Sequence, residues 1–211
     1  MKRYFTLLFL FFLCAPVISQ PKTKQLLPPM RKGGMPLMEA LDKRCSTRDF
    51  TDKDLQEQTL SNLLWAAFGI NREESDKHTA PSSNNNQEID IYVATAHGAY
   101  KYVPKGHLLE IISDEDFRSI CGEQAYVATA AINLVYVSDL SRTDQKDLNA
   151  EPLSSYSNVG FIAQNVYLFC ASEGLGAVIR GWINKEALQA KLQLKPNQKI
   201  ILSQSVGFPK K

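Results

Sequence analysis

Cysteine and histidine are scarce in this chain, and neither occurs in a pattern typical of metal binding. The 211 residues include four cysteines and three histidines. There is no C-x-x-C pair, and the histidines lack ligand spacing. We therefore expect no disulfide framework and no metal site. We expect Cys170, which lies in an apolar helical pattern, to be a core residue, and His78, His97 and His107 to lie in solvated loops.

Several catalytic motifs are missing as well. The sequence contains no G-x-S-x-G, no G-x-x-x-x-G-K-[ST], no H-E-x-x-H, and no G-x-G-x-x-G that opens a helix after a strand. These absences argue against a serine hydrolase, a nucleoside triphosphatase and a zinc protease. Any catalytic function must rest on a less common set of residues.

An excess of charge of one sign is also lacking. The formal net charge is +2, and Lys2 and Arg3 in the N-terminal segment account for it. The rest of the chain is therefore neutral, and its basic residues are scattered rather than aligned. A neutral domain of this kind is not expected to bind nucleic acid or an anionic membrane surface.

The first 19 residues have the pattern of a secretory signal peptide. A basic start is followed by an apolar run over residues 4–13, and Val17 and Ser19 supply the small residues of a cleavage site. The run is too short for a lasting membrane span. Lipid anchoring at Cys14 is disfavoured because bulky Leu13 precedes it. The sequence thus predicts export, with a periplasmic or secreted location.

Beyond that segment we expect an arm and one domain. Residues 20–35 combine proline, glycine and basic residues, which predicts an extended arm rather than a core element. Residues 36–211 suffice for one domain with a sizeable core. In it the pattern predicts helices in residues 36–44, 54–68, 153–173 and 185–192, and two short helical pieces within residues 106–130. It also predicts a hairpin over residues 89–103, strands in residues 131–140, 176–183 and 198–208, and a helix-stopping glycine in the left-handed conformation at Gly69. The fold class is therefore α+β, with one central mixed sheet flanked by helices.

Three clusters remain as candidates for a site. The first is R-C-S-T-R at residues 44–48, where Arg44 and Arg48 flank Ser46. Guanidinium groups offer several fixed donors that fit phosphate, so this arginine fork could bind one. The alternative is a solvated stretch with surface ion pairs to Asp42, Asp49 or Asp52.

The other two clusters are a polar loop and a glycine-rich stretch. Pro81, Ser82, Ser83, Asn85 and Gln87 offer neutral donors and acceptors that could satisfy the amide edge of a planar heterocycle, or they could form an ordinary connector. The stretch S-E-G-L-G-A-V-I-R-G over residues 172–181 has glycines that would let backbone approach a ligand. Alternatively, these glycines only cap a helix and a turn.

In this order, the clusters resemble the nitroreductase family of FMN-dependent flavoproteins, over roughly residues 36–210. The R-x-S-x-R-x-F stretch from Arg44 to Phe50 resembles the FMN signature of the family. The segment 81–87 is similar to its P-S-S-x-N-x-Q motif, and V-G-F-P at residues 206–209 is similar to its closing V-G-[YF]-P. The resemblance implies the nitroreductase fold, a homodimer, and FMN as the cofactor.

The resemblance also implies roles for individual residues. Arg44 and Ser46 would hold the FMN phosphate and ribityl chain, and Arg48 would reach the phosphate or the pyrimidine edge. The loop with Pro81, Ser82, Ser83, Asn85 and Gln87 would come from the second subunit. The backbone at Arg180 and Gly181 would lie near flavin N5, and looser matches place Gln124 at the flavin and Lys210 at the phosphate. Cys45 departs from the family pattern, where many relatives carry a basic or polar residue, and would be a neutral filler that could be redox active.

No catalytic acid or base is assigned, because the flavin itself carries the chemistry. The implied function is an exported oxidoreductase that passes electrons from NAD(P)H or another donor to a small-molecule acceptor such as a nitroaromatic or a quinone. Two alternatives remain open. One is an FMN-dependent dehydrogenase that oxidises azoline rings, as in the branch of the family that matures peptide natural products, and the other is a non-catalytic flavin-binding protein.

Overall fold

A computed structural model describes residues 22–149 and 152–210. The predicted signal peptide, residues 1–19, lies outside the described residues. Five α-helices are present in the described part of the chain, and their bounds are α1 Leu37–Lys43, α2 Glu57–Phe68, α3 Tyr126–Thr129, α4 Leu153–Glu173 and α5 Lys185–Lys191. None of the helices in this part is long and apolar enough to cross a membrane.

Seven strands form one sheet in the order β1-β6-β5-β4-β7-β9-β8. The remaining two, β2 and β3, pair only with each other. The strands are β1 Thr23–Gln25, β2 Ile70–Arg72, β3 Lys77–His78, β4 Ile89–Thr95, β5 Gly98–Val103, β6 Leu108–Ser113, β7 Ile132–Asp139, β8 Gly176–Arg180 and β9 Gln198–Gly207.

The sheet lies between two helical layers, which confirms the α+β class. On one face, α2 and α4 cover a core that contains Leu63, Leu64 and Ile162, and all three are inaccessible to solvent. On the other face, α5 buries Leu188 and Leu192 against β4, β7 and β9. Full burial of such a side chain contributes about 1.5–3 kcal/mol, so these two layers stabilise the sheet that carries the site.

The mixed character of the sheet comes from a single bridge. All six strand pairs of the seven-stranded sheet are antiparallel. The parallel component is the isolated bridge between Ser46 and Ala177 at the β8 edge. A strand that follows a hairpin connection runs antiparallel, and the consecutive strands β4, β5 and β6 follow that rule.

Of the two short helical pieces predicted within residues 106–130, the first is wrong. Leu108, Leu109, Ile111 and Ile112 have helical spacing, but the segment forms β6, which pairs with both β1 and β5. Pairing on two sides and the two adjacent isoleucines favour an extended backbone over the helical pattern. Only the four residues of α3, at Tyr126–Thr129, are α-helical in this stretch.

The two glycines that follow helices differ in conformation. Gly174 ends α4 with φ 68° and ψ 24°, in the left-handed region. Gly69 ends α2 with φ −70° and ψ 161°, so the left-handed conformation predicted for it is wrong. Gly69 is required for space instead, since a Cβ there would lie 2.3 Å from Cδ1 of Trp65.

The arm is more ordered than an extended connector. Its residues 23–25 form β1, the edge strand beside β6, and Leu26 is buried in the core. Backbone N–H groups of Met30 and Met35 donate to Asn62 Oδ1 and Ser172 Oγ, each at 2.8 Å. The arm therefore closes one sheet edge and then crosses the α2 and α4 helices.

Candidate functional site

The arginine fork follows directly from the end of α1. The backbone N–H of Arg44 still donates to the Ala40 carbonyl, and the chain is extended from there. Ser46 then forms its parallel bridge with Ala177, and the Thr47 N–H donates to the Ala177 carbonyl at 2.9 Å. Gly176 permits this approach, because a Cβ there would lie 2.7 Å from Thr47 Cβ.

The fork lies at one end of the sheet, which we call the fork end. Ala177, Val206, Ile132 and Thr95 are in register across β8, β9, β7 and β4 and mark this end. The structure therefore brings two of the three clusters together, the arginine fork and the glycine-rich stretch.

Tyr167 of α4 contacts the fork and helps to position it. Its hydroxyl lies 3.0 Å from Ser46 Oγ and accepts the backbone N–H of Ile179 at 3.0 Å. The guanidinium carbon of Arg44 lies 5.5 Å from the centre of the Tyr167 ring, a cation–π distance. Sequence reasoning missed this residue because a tyrosine on the apolar face of a helix has the pattern of a core residue.

Neither arginine of the fork is neutralised within the described residues. Arg44 is half-buried and Arg48 is exposed, and no carboxylate lies within ion-pair distance of either guanidinium in this part of the chain. Asp49, one of the acids that could have paired with them, contacts Lys210 Nζ at 3.2 Å. The alternative of ion pairs to Asp42, Asp49 or Asp52 is therefore wrong, and two guanidinium groups flank Ser46 without a counter-charge.

The closing V-G-F-P segment runs beside the fork. Phe50 forms a bridge with Pro209, and the Thr51 N–H donates to the Phe208 carbonyl at 2.9 Å. The backbone of Lys210 donates to the Asp49 carbonyl at 3.1 Å. Lys210 therefore lies next to the fork, and its ammonium group could exchange the exposed carboxylate of Asp49 for a bound anion.

Arg180 ends β8 and points its side chain into the protein. Its guanidinium is buried against neutral oxygen atoms, and this burial lowers its pKa. The acceptors are the Cys121 carbonyl, Asn133 Oδ1, Ser203 Oγ and Ser205 Oγ. The next residue, Gly181, is exposed, so the role at flavin N5 implied for the backbone of this stretch stays a prediction.

Gln124 has an unsatisfied polar atom close to Arg180. Its Oε1 is buried and has no hydrogen-bond partner. The neighbouring Gly122 has no room for a side chain, because a Cβ there would lie 2.3 Å from Arg180 Nε. A buried amide without a partner is costly, which makes Gln124 suited to a hydrogen bond with a bound group.

The polar loop over residues 81–87 lies away from the fork in the same chain. It precedes β4 at the sheet end opposite the fork end, and a seven-residue strand spans roughly 20 Å. The loop contacts α4 at Asn158, whereas the fork contacts it at Tyr167, nine residues and about 13.5 Å further along the helix. One chain therefore does not bring the third cluster to the other two.

The cysteines differ in exposure. Cys45 is exposed between Arg44 and Ser46, and its Sγ lies 3.8 Å from Thr47 Oγ1. Cys170 is buried, as predicted. Cys121 is also buried, and burial raises its pKa to about 12. Of the three, only Cys45 could meet a ligand at the fork.

The prediction of solvated loops is wrong for two of the three histidines. His78 is buried and stacks on Phe68, with ring centres 4.1 Å apart. His107 is partly buried and contacts Ser61 and Tyr102 through its two ring nitrogens. Both are held by neighbours distant in sequence, which spacing alone does not indicate. The described residues contain no group of three or more side chains that could hold a metal ion.

The fold is α+β, and among the described residues the arginine pair at the fork end has no carboxylate partner, so this end could hold an anionic group. The family model described as Nitroreductase family matches residues 41–208. The chain belongs to the nitroreductase family, whose members are oxidoreductases, so the predicted resemblance and fold are confirmed.

Two relatives are similar over most of their length. The chain is 41% identical to a solved structure from Ralstonia eutropha JMP134, described as a "putative nitroreductase", with a TM-score of 0.84 and 90% of each chain covered. It is 31% identical over 169 residues to "Putative nitroreductase MJ1384" of Methanocaldococcus jannaschii, which covers 75% of this chain and 85% of that protein.

Two more distant solved structures share the fold. One is the Escherichia coli microcin synthetase McbBCD complex with truncated pro-MccB17 bound, at 17% identity and a TM-score of 0.70, with 95% of this chain and 85% of that chain covered. The other is the NADPH:FMN oxidoreductase of Vibrio harveyi complexed with NAD+, at 21% identity and a TM-score of 0.59, with 83% and 69% covered.

Proposed function

We propose that this protein is an exported FMN-dependent oxidoreductase. The observation that carries the proposal is the pair Arg44 and Arg48, which flank Ser46 at the fork end without a carboxylate partner among the described residues. An uncompensated guanidinium pair beside a hydroxyl fits the phosphate of FMN. Membership of the nitroreductase family supports the same cofactor.

The residues present fit FMN along its length. Arg44, Ser46 and Lys210 would hold the phosphate and ribityl chain, and Arg48 would reach the phosphate or the pyrimidine edge. Gln124 offers a buried amide oxygen without a partner, and the exposed Gly181 offers backbone that a ring can approach. When bound, FMN supplies hydride transfer at its N5 atom.

The complete site requires a second copy of the chain. The polar loop and the fork both contact α4, at Asn158 and Tyr167. If two α4 helices pack antiparallel about a point midway between these residues, the loop of one chain comes next to the fork of the other. The exposed side of α4 at that point carries Gly160 and the large apolar side chain of Phe161.

Additional exposed apolar side chains surround this helix face. Leu153 of α4 and Leu37, Met38 and Leu41 of α1 are exposed, and α1 packs on α4. Scattered apolar residues are normal on a surface, but a group on adjacent helices favours an interface. We propose a homodimer with two FMN sites, each made by both chains.

NAD(P)H or another reductant would supply the electrons, and a nitroaromatic or a quinone would accept them. The Vibrio harveyi fold neighbour is an NADPH:FMN oxidoreductase complexed with NAD+, which supports a nicotinamide donor. The basic and apolar pattern of residues 1–19 supports export to the periplasm or beyond.

One specific observation favours a second function. The E. coli microcin synthetase complex, which was solved with a truncated precursor peptide, shares the fold over 95% of this chain. An FMN-dependent dehydrogenase that oxidises azoline rings in a peptide is therefore the second candidate. A flavin-binding protein without turnover is the third, since export would separate the protein from cytoplasmic NAD(P)H.

The proposal is tested with protein purified without its predicted signal peptide. We expect a yellow protein that releases FMN on heating, at one per chain. Rapid mixing with NADPH or NADH should bleach the flavin, and added quinone should restore its colour. A colourless protein that does not take up FMN would refute the proposal, and flavin that stays oxidised with both nucleotides would favour the second or third candidate.

A further inference from the structure

The polar loop has an unusual backbone for its length. Asn84, Asn85 and Gln87 have φ values of 52°, 56° and 49°, in the left-handed region that most side chains avoid. Asparagine adopts this region more readily than most residues, but three such residues within four positions still cost free energy that other contacts must offset. Hydrogen bonds within the loop, such as that from the Gln87 N–H to Ser82 Oγ, supply part of this support, and contacts from outside the loop supply the rest.

A buried chain of hydrogen bonds provides that support. Asn158 of α4 is buried, and its Oδ1 accepts from both the backbone N–H and the Oγ of Ser83, at 3.1 and 3.3 Å. Its Nδ2 donates to Glu88 Oε1 at 2.7 Å. Ser155 Oγ donates to the same carboxylate oxygen at 3.0 Å. Glu88 thus orients Asn158, and Asn158 holds the loop.

The far end of the loop is held as well. Arg142 donates to the carbonyls of Gln87 and Glu88 at 2.9 and 3.0 Å, and the Gln87 N–H donates to Ser82 Oγ at 3.0 Å. Glu88 is inaccessible to solvent, yet its Oε2 has no hydrogen-bond partner. A buried carboxylate with one unsatisfied oxygen is costly. If Glu88 had no positioning role, a neutral residue at this place would make the protein more stable.

We propose that Glu88 and Asn158 are positioning residues that hold the loop over residues 81–87 in the shape that completes the FMN site of the partner subunit. This inference rests on the proposed function. Neither residue lies at the fork of its own chain, because the loop is at the opposite end of the sheet. Their effect on flavin is therefore exerted across the dimer interface.

The first test reverses the polarity of one hydrogen bond. Asn158→Asp places a carboxylate against Glu88, so it should separate the pair and weaken FMN binding at least tenfold. Adding Glu88→Gln restores a donor facing an acceptor with the same net charge, and the new carboxylate on α4 can still accept from Ser83. We expect the double variant to bind FMN within about threefold of the wild type, measured by quenching of flavin fluorescence.

The second test asks whether the loop acts in trans. Asn158→Asp and Arg44→Ala chains are co-expressed with different tags, and the mixed dimers are isolated through both tags. One site of each mixed dimer then has an intact fork and an intact loop. We expect one FMN per mixed dimer with near wild-type affinity, whereas each parent homodimer binds weakly at both sites.

The outcomes separate this inference from the proposed function. Wild-type protein that does not bind FMN refutes the proposed function, and this inference with it. Wild-type protein that binds FMN refutes the inference alone if Asn158→Asp binds as tightly, if the double variant does not recover, or if the mixed dimers bind no better than the parents. Melting temperatures without flavin monitor folding, and Asn158→Ala replaces Asn158→Asp if that chain does not fold.

Discussion

The hydroxyl of Tyr167 lies 3.0 Å from Oγ of Ser46, which joins the longest helix to the middle of the arginine fork. The same hydroxyl accepts the Ile179 N–H of β8. One side chain therefore sets the spacing between α4, the fork and the edge strand of the sheet, and the geometry of the proposed phosphate site depends on it.

Replacing Tyr167 with Phe should weaken FMN binding about tenfold. The change frees Ser46 Oγ and leaves the Ile179 N–H without its acceptor, and a lost hydrogen bond of this kind costs about 1–2 kcal/mol. Titration of the flavin-free protein with FMN measures the effect. Tyr156→Phe on the same helix is the matched control, since no hydrogen bond of its hydroxyl is found among the described residues. Equal affinities for both variants would contradict this role.

Removing the positive charges of the fork should abolish discrimination between FMN and riboflavin. Arg44→Ala and Arg48→Ala remove donors to the phosphate but leave the ring contacts, so affinity for FMN should fall at least tenfold while affinity for riboflavin stays within about twofold. Arg31→Ala is the control, because Arg31 forms an exposed ion pair with Glu73 away from the fork. If the affinities for FMN and riboflavin fall by the same factor, the guanidinium groups do not bind the phosphate.

Stability should fall with decreasing pH through His107. Burial, and then the positive charge of Arg31, lowers the pKa of His107 below its usual 6.5. The unfolded chain then binds the proton more readily, so the free energy of unfolding decreases as pH falls below about 6.5 and levels off below the folded-state pKa. His107 Nδ1 lies 2.9 Å from the Tyr102 hydroxyl, and a protonated ring could not accept a hydrogen bond there.

The measurement is chemical denaturation between pH 7.5 and 5. His107→Asn should remove this component of the pH dependence, because asparagine does not titrate and tolerates the positive φ of 51° at this position. His97→Asn is the control, since the exposed His97 ring pairs with Asp54 at the surface. If the pH dependence of the free energy of unfolding persists in His107→Asn and disappears in His97→Asn, His97 is its source and the prediction is wrong.

Placing a charge on the exposed face of α4 should dissociate the proposed dimer. Phe161→Glu puts a carboxylate at the point where two α4 helices would cross, and a buried unpaired charge is not tolerated there. Sedimentation should show a monomer with a correspondingly low FMN content. Leu148→Glu changes a residue of similar exposure outside α4 and should remain dimeric. If both variants remain dimeric, the dimer interface does not include this face of α4.

Local sequence patterns were sufficient where the relevant contacts are local. The hairpin of β4 and β5 and the long α4 helix were predicted, because alternation and helical spacing directly reflect which side chains are buried. The fork was found because its residues are contiguous. Its proximity to the glycine-rich stretch followed only from the family resemblance, and the structure shows it as the bridge from Ser46 to Ala177.

Local sequence patterns were insufficient where residues distant in the sequence determine the structure. Leu108–Ser113 has helical spacing but becomes a strand because β1 and β5 pair with it on both sides. Tyr167 and Asn158 make polar contacts on the buried side of a helix, and nothing in their neighbourhood in the sequence separates them from core residues. His107 is likewise defined by Ser61 and Tyr102, which meet only in the folded chain.

The hydrogen-bond acceptors of Arg180 affect how the protein unfolds at low pH. Its guanidinium donates to carbonyl, amide and hydroxyl oxygens, and no carboxylate accepts from it in the part of the chain that the structure describes. None of those acceptors gains a proton at any pH a protein normally meets. Loss of structure on acidification should therefore begin at titrating contacts such as that of His107, and the junction of β8 with β7 and β9 should be among the last parts to open.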